Sequence, residues 1–270
     1  YAKQKQIKYL SYSSRSRMGV KTFYYSVVDD QMFFSSELKA LHKVTGQTEA
    51  DLEKVYSYLA YGYRTNDGKA FLKNGVGSPE TFLACHEFDG TVKKDGAHTP
   101  TLRDGLHEYP THIADWKRSD PTWANGKGKA IIGALNYLSK KGMNSLYFLT
   151  MNEHSDGDNV WPWIDPYEQT RYDVSKLAQW DKVFTHMDDL GMAMNVFTQE
   201  TENDTVLNKG ELGLERKLYY KELIARFGHH LGIVWNLGEE TNRSTKQLKS
   251  YASYIRSIDP YNHPIAVHNH

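Results

Sequence analysis

The sequence predicts an α/β protein: an incomplete (β/α)8, TIM-type barrel of about five β/α units, preceded by a small α+β fragment. Three observations carry this. From about residue 127 the chain alternates helical and extended patterns with short connections, the signature of parallel strands joined by helical crossovers. Residues 1–70 instead alternate like an antiparallel hairpin and then like two short helices. Finally, a complete eight-fold barrel takes about 250 residues, and the 270-residue chain leaves fewer than that after residue 70. The expected domains are therefore 1–70 and 71–270, the second cut off after five of eight strands.

In the first segment, Thr22, Phe23, Tyr24, Tyr25, Ser26, Val27 and Val28 form one strand, Asp29-Asp30 a turn, and Met32-Phe33-Phe34 the returning strand. Ser36 caps a short helix over 37–43, and a second helix spans 49–59. The Gly-, Lys- and Asn-rich stretch 66–78 is the boundary. Residues 81–85, with Phe82, Leu83, Ala84 and Cys85, are expected as the first parallel strand. Ile131, Ala134, Leu135 and Leu138 follow helical spacing, closed by Lys140-Lys141-Gly142. A strand over 145–150 comes next. Asp173 caps a second helix whose apolar face is Val174, Leu177, Trp180, Phe184, Met187 and Leu190, ended by Gly191. The strand 192–198 follows, then a helix burying Tyr220, Leu223, Ile224 and Phe227, then the strand 233–236. A fourth helix buries Leu248, Tyr251, Ala252 and Ile255 and is broken at Asp259-Pro260. Residues 264–268 read as a fifth strand.

Composition narrows the function. Hydrophobic residues make up 39% and aromatics 13%, enough for a real core. Lys plus Arg (33) equals Asp plus Glu (33), so no overall basic field draws nucleic acid, and no apolar run approaches a membrane span. Residues 1–70 carry 11 basic and 7 acidic side chains, a slight skew that agrees with a junction. The lone Cys85 rules out an internal disulfide and a cysteine-rich zinc site. No phosphate loop or dinucleotide fingerprint is present, so no cofactor and no metal site are expected. With neither an initiating Met nor a signal peptide, the chain is expected to be clipped at its start.

The chemistry concentrates at Gly232-Ile233-Val234-Trp235-Asn236-Leu237-Gly238-Glu239-Glu240. A buried strand running into carboxylates places them at its carboxyl end, the active-site rim of a parallel barrel. Glycoside hydrolysis needs two carboxyl groups flanking the bond, one to protonate the leaving oxygen. Glu239 and Glu240 cannot both serve, because successive side chains leave the backbone in different directions. The doublet also suits the first turn of a following helix. Asn236, Gln199, Glu200, Glu202 and His268 are further rim candidates for sugar hydroxyls, with His86 and Asp89 after the expected first strand. Trp161-Pro162-Trp163 could stack on an apolar sugar face or anchor a packed loop. The run from Glu153 to Asp158 lacks the calcium-loop pattern and reads as a polar turn.

Two resemblances accompany these residues. Arg17-Met18-Gly19-Val20-Lys21-Thr22-Phe23-Tyr24-Tyr25, Phe33 to Leu41 and Tyr58-Leu59-Ala60-Tyr61-Gly62-Tyr63 resemble the end of the glutaminase domain of glutamine-dependent asparagine synthetases. That family uses an N-terminal cysteine nucleophile, which this chain lacks, so the resemblance implies no surviving amidotransferase activity. From Phe71-Leu72-Lys73 onward, Ser78-Pro79-Glu80, His107-Glu108-Tyr109-Pro110, Gly126-Lys127-Gly128-Lys129, Gln199 to Asp204 and Trp235 to Thr241 are similar to bacterial, usually secreted glycoside hydrolases. Those proteins, related to apiosidase-like enzymes, carry a (β/α)8 barrel behind a β-sandwich domain. The resemblance implies a carbohydrate substrate and an Asn-Glu pair after strand four. It puts Glu240 in the acid/base place and Glu239 where Asn is usual, leaving the assignment between them open. It also implies a nucleophile on strand seven, beyond residue 270, and hence half a catalytic pair here. A non-catalytic carbohydrate-binding barrel and a remnant of a glutamine amidotransferase are the alternatives, and joining the two pieces points to a chimeric gene call, an assembly join or an unusual fusion.

Overall fold

The computed structural model describes residues 7–8, 24–28, 31–35, 73–77, 82–91, 106–153 and 159–268. The chain divides into two compact units, Tyr1–Leu72 and Lys73–His270. The described part of the first unit is a three-stranded antiparallel sheet of β1 (Ile7–Lys8), β2 (Tyr24–Val28) and β3 (Gln31–Ser35), in that order. β2 and β3 run from Tyr24↔Ser35 to Val28↔Gln31. The β-branched and aromatic residues that predicted the hairpin form it. The helices expected over 37–43 and 49–59 lie outside the described residues.

The second unit is a mixed α/β body built on a five-stranded sheet whose every pairing is parallel, in the order β10-β9-β8-β5-β4. The strands are β4 (Gly75–Gly77), β5 (Ser145–Leu149), β8 (Ala193–Phe197), β9 (Ile233–Asn236) and β10 (Ile265–Ala266). Between β5 and the next helix lies an unexpected antiparallel hairpin, β6 (Trp163–Asp165) and β7 (Glu168–Tyr172). Four helices alternate with the sheet: α1 (Lys129–Lys140), α2 (Val174–Asp189), α3 (Leu214–Phe227) and α4 (Thr245–Ile258). Among the described residues no helix is long and apolar enough to cross a membrane.

The first parallel strand is not where the apolar run suggested. Residues 82–84 form a buried turn, with Cys85 in an isolated bridge to His107, and β4 is Gly75-Val76-Gly77. Phe82 and Leu83 bury their side chains against the sheet, Phe82 packing 5.2 Å from Phe148, so burial rather than strand pairing explains the hydrophobicity. Glycine is required in β4, because a Cβ at Gly75 would lie 1.8 Å from the Ser145 carbonyl oxygen.

Side chains alternate as the period of two demands. Leu146, Phe148, Met194, Val196, Ile233 and Trp235 face the helices and form the core with Trp180, Phe184, Tyr220 and Phe227. Each such apolar side chain contributes about 1.5–3 kcal/mol by leaving water. The residues between them, Tyr147, Asn195 and Val234 in one cross-strand row, take the other face. Helix ends follow the expected chemistry: Asp173 accepts from the Lys176 amide at 2.9 Å, and Gly142 and Gly191 are left-handed after α1 and α2.

Candidate functional site

The carboxyl ends of β8, β9 and β10 are laced together beyond the strands proper. The Asn236 side-chain oxygen accepts from the Gly238 amide at 3.2 Å and turns the chain at the end of β9. The Glu239 amide donates to the Gln199 carbonyl at 2.9 Å, and Glu200 and Glu239 form a parallel bridge. On the other side the His268 amide donates to Gly238 and the Thr241 amide to His268, both at 3.2 Å. This ladder makes one mouth of three segments. Glu239 is 9% exposed, and its Oε1 lies 3.8 Å from His268 Nδ1. The His268 ring stands edge-on to Phe197, which packs on Tyr147. Glu200 is 8% exposed beside it.

The two members of the doublet part company here. Glu240, the residue that the motif alignment put in the acid/base place, is exposed and left-handed at φ 46. Glu239, on the position where Asn was expected, is the buried one. A left-handed residue directly after an extended one swings its side chain out of the alternation, which is why adjacency in sequence becomes separation in space.

Behind the mouth sits a buried polar network that sequence reasoning missed. Asp204 Oδ1 accepts from the Gln199 amide nitrogen and from Thr241 Oγ1 at 2.9 Å. Its Oδ2 accepts from the Asn242 amide at 3.0 Å and pairs with Arg243 at 3.1 Å. Arg216 donates to Gln199 Oε1 and to the carbonyls of Asp204 and Leu207, and its guanidinium covers the Tyr251 ring at 4.6 Å. Gln199 is thus fully buried with both amide atoms engaged inside the protein. The structure places Gln199, expected as a sugar contact, where it anchors the loop that carries Glu200. The signal available was Arg216, which falls on the apolar stripe of α3 with Tyr219, Tyr220 and Leu223. A cation on such a stripe requires internal partners.

A second tie joins β5 to the same loop. Asn203 donates to Asn152 at 3.0 Å and accepts from the Glu153 amide at 2.9 Å. The Tyr219 hydroxyl donates to the Thr198 carbonyl and meets Thr150, both at 2.7 Å. Complete burial holds its phenol far above the usual value, so it stays a donor.

Other expected ligands go elsewhere. Trp161 and Trp163 are buried, Trp163 edge-on to Tyr172 and Tyr219 and Trp161 under the Lys176 ammonium at 5.2 Å. The structure places the two tryptophans expected as a sugar platform in the core among these neighbours. Burial pulls Lys176 down to about 8, although its ammonium donates to the carbonyls of Gly90 and Trp161. Asp89 accepts from Ser175 and Gln179 of α2, each at 2.7 Å, and so belongs to the helix layer. His86 is exposed, bonded to the His107 carbonyl at 3.1 Å. Glu202 is exposed in a 3-10 turn, Thr201–Asn203. The polar run after Glu153 lies at 154–158, outside the described residues. A surface cleft of about 610 Å³ is lined by residues such as Glu211, Ser244 and Gln247, none of them a residue of the mouth.

Comparison with known proteins gives two different likenesses. Residues 3–83 match the glutamine amidotransferase domain, under a third of the chain and reaching slightly past the division at Leu72. No curated protein sequence matches the chain. Similar solved structures include a glycoside hydrolase family 5 protein from Bacteroides vulgatus, 18% identical with a TM-score of 0.40, over 52% of this chain and 31% of that one. Another is the cellulose synthase subunit Z of Clostridioides difficile, 13% identical, TM-score 0.42, over 73% and 53%. A third is the endo-1,4-β-D-mannanase of Thermotoga petrophila, 16% identical, TM-score 0.37, over 50% and 49%. The chain therefore spans about a third to a half of the length of these structures.

Proposed function

We propose that residues 73–270 carry a carbohydrate-directed site of the glycoside-hydrolase type, with Glu239 as its general acid/base. The observation that supports this reading best is the burial of Glu239 in the mouth shared by β8, β9 and β10, beside His268. A proton donor for a glycosidic oxygen must sit at a strand end, shielded from bulk water and within about 2.6–3.2 Å of the oxygen it serves. Glu239 meets the first two conditions and Glu240 does not meet the second.

Glu200 is our candidate for the second carboxyl. Bridge partners on neighbouring parallel strands have backbones about 4.8 Å apart and side chains on the same face, which lets their carboxyls approach to the roughly 5–5.5 Å that retaining enzymes use. In that reading Glu239 protonates the leaving oxygen while Glu200 attacks the anomeric carbon. Glu239 then deprotonates the water that releases the sugar. His268 donates to Glu239 or to a substrate hydroxyl.

The test is hydrolysis of a panel of aryl glycosides and polysaccharides by the full chain. Glu239→Gln lowers kcat/KM by about 10²–10⁴-fold, Glu240→Gln leaves it within a few-fold, and azide rescues Glu200→Ala. Equal losses at 239 and 240 contradict the assignment.

The amidotransferase match favours a separate reading for the N-terminal unit, that of a glutaminase-domain piece. The chain's one cysteine, Cys85, is buried, which pushes its thiol up to about 12. A thiol that stays protonated is a poor nucleophile, so Cys85 is not the nucleophile of that reading.

A further inference from the structure

We propose that Asp181, His229 and His230 bind a first-row divalent cation of the zinc type through one carboxylate oxygen and two imidazole nitrogens, with water as the fourth ligand. The cluster lies at the amino-terminal end of β9, opposite the Glu239 mouth at its carboxyl end, and is independent of that reading. Asp181 and Asp188 lie on α2, and the two histidines lie in the turn between α3 and β9, at the amino-terminal approach to that strand. Asp181 and Asp188 are seven residues apart, two helical turns, so both face the same turn.

Geometry distinguishes this cluster from ordinary His-Asp pairs. Asp181 Oδ1 is 3.1 Å from His230 Nε2 and 3.7 Å from His229 Nε2. All three donor atoms lie within 4.8 Å of one another, the only such group of three among the described residues. Zinc bonds of about 2.0–2.2 Å to nitrogen and oxygen place tetrahedral ligands about 3.3–3.6 Å apart. The two distances fall on either side of that edge length, so small side-chain rotations close the site. His112 and Asp115 are just as close, at 3.2 Å, but have no third ligand.

The outer contact points to a metal as well. His230 Nδ1 is 2.6 Å from Asp188 Oδ2. A carboxylate on that nitrogen holds a proton there, so an ion that displaces the Nε2 proton shared with Asp181 at 3.1 Å meets the Nε2 lone pair, the arrangement by which proteins orient metal-bound histidines. The His230 side chain is buried, whereas His229 is 52% and Asp181 40% exposed, so the site has a rigid inner wall and an open side for entry and for a water ligand. Two imidazoles and a carboxylate suit zinc, cobalt, nickel or copper, whereas magnesium and calcium prefer all-oxygen shells. Bound there, the ion clamps α2 to the turn that launches β9. Without it a proton does similar work, bridging His230 Nε2 to Asp181 at 3.1 Å.

The test is calorimetric titration of the chelator-treated, untagged full chain with zinc chloride, with cobalt absorption reporting coordination number. The expected result is one saturable site of micromolar or tighter affinity. His229→Ala and Asp181→Asn abolish it, Asp188→Asn weakens it about 10–100-fold, and His112→Ala leaves it unchanged. Because His229 is half exposed, its variant keeps the fold, which circular dichroism checks. No saturable binding, or binding unaltered by both His229→Ala and Asp181→Asn, overturns the proposal.

Discussion

Replacing Asp204 by Asn tests the physical basis of the mouth. The carboxylate is nearly fully buried and takes donors from Gln199, Thr241 and the Asn242 amide while pairing with Arg243. Asn preserves the shape, but it removes the charge and turns one acceptor into a donor facing other donors. Bonds to a buried charge contribute about 1.5–3 kcal/mol each, and removing one partner of a buried ion pair costs about 3–5 kcal/mol. Since the Arg243 side chain retains some exposure, about 4 kcal/mol is the expected loss. Thr241→Val removes one neutral donor and costs about 1 kcal/mol. Urea unfolding followed by tryptophan fluorescence is the assay. All 6 tryptophans lie at or after Trp116, so the signal reports the second unit alone. At about 3 kcal/mol per molar urea, the upper end for small proteins, the midpoint falls by about 1.3 M for Asp204→Asn and about 0.3 M for Thr241→Val. Equal shifts would refute the claim that the Asp204 charge organises the loops bearing Glu200 and Glu239.

Three other outcomes follow from local geometry. Ser244→Ala removes the capping box that Ser244 and Gln247 form at the start of α4 and lowers stability by about 1 kcal/mol in the same urea assay. Gly133→Ala destabilises despite alanine's helix preference of about 1 kcal/mol. Its Cβ would meet the His112 carbonyl oxygen at 1.9 Å, and overpacking of this kind costs about 1–3 kcal/mol; a raised melting temperature would contradict it. Asp259 has a lowered pKa: burial alone would raise it, and hydrogen bonds from His263 override that. Its stabilisation is therefore present above the unfolded value near 3.8 and lost as pH falls through the lower folded value. Asp259→Asn flattens that acid limb of the stability-pH curve, and an unchanged limb excludes the pair as its cause.

The alternation from α1 onward was legible because each helix carried an apolar stripe, and α1, α2 and α4 also a cap or a left-handed glycine, as at Gly142, Asp173, Gly191 and Ser244. β4 was not, because two glycines around one valine carry no β-propensity and are chosen for close backbone approach. The apolar run at 82–85 misled for the complementary reason, since burial in a turn and burial in a strand leave the same composition. At the rim, strand order and the acidic doublet could be read from the sequence. The choice between Glu239 and Glu240 could not, because it depends on one left-handed φ. Likewise Trp161 and Trp163 announce an aromatic site or a core equally well until the neighbours Lys176, Tyr172 and Tyr219 are known. The Asp204 network and the Asp181, His229 and His230 cluster join residues separated by loops and helices, which no local pattern records.

The most direct measurement is a crystal structure of the chain with a bound oligosaccharide that it cleaves or retains. The account predicts a glycosidic oxygen within about 2.6–3.2 Å of a Glu239 carboxyl oxygen, with Glu200 across the same sugar ring and Glu240 in solvent. A sugar held by Glu240 alone, or seated away from the ends of β8, β9 and β10, would contradict it.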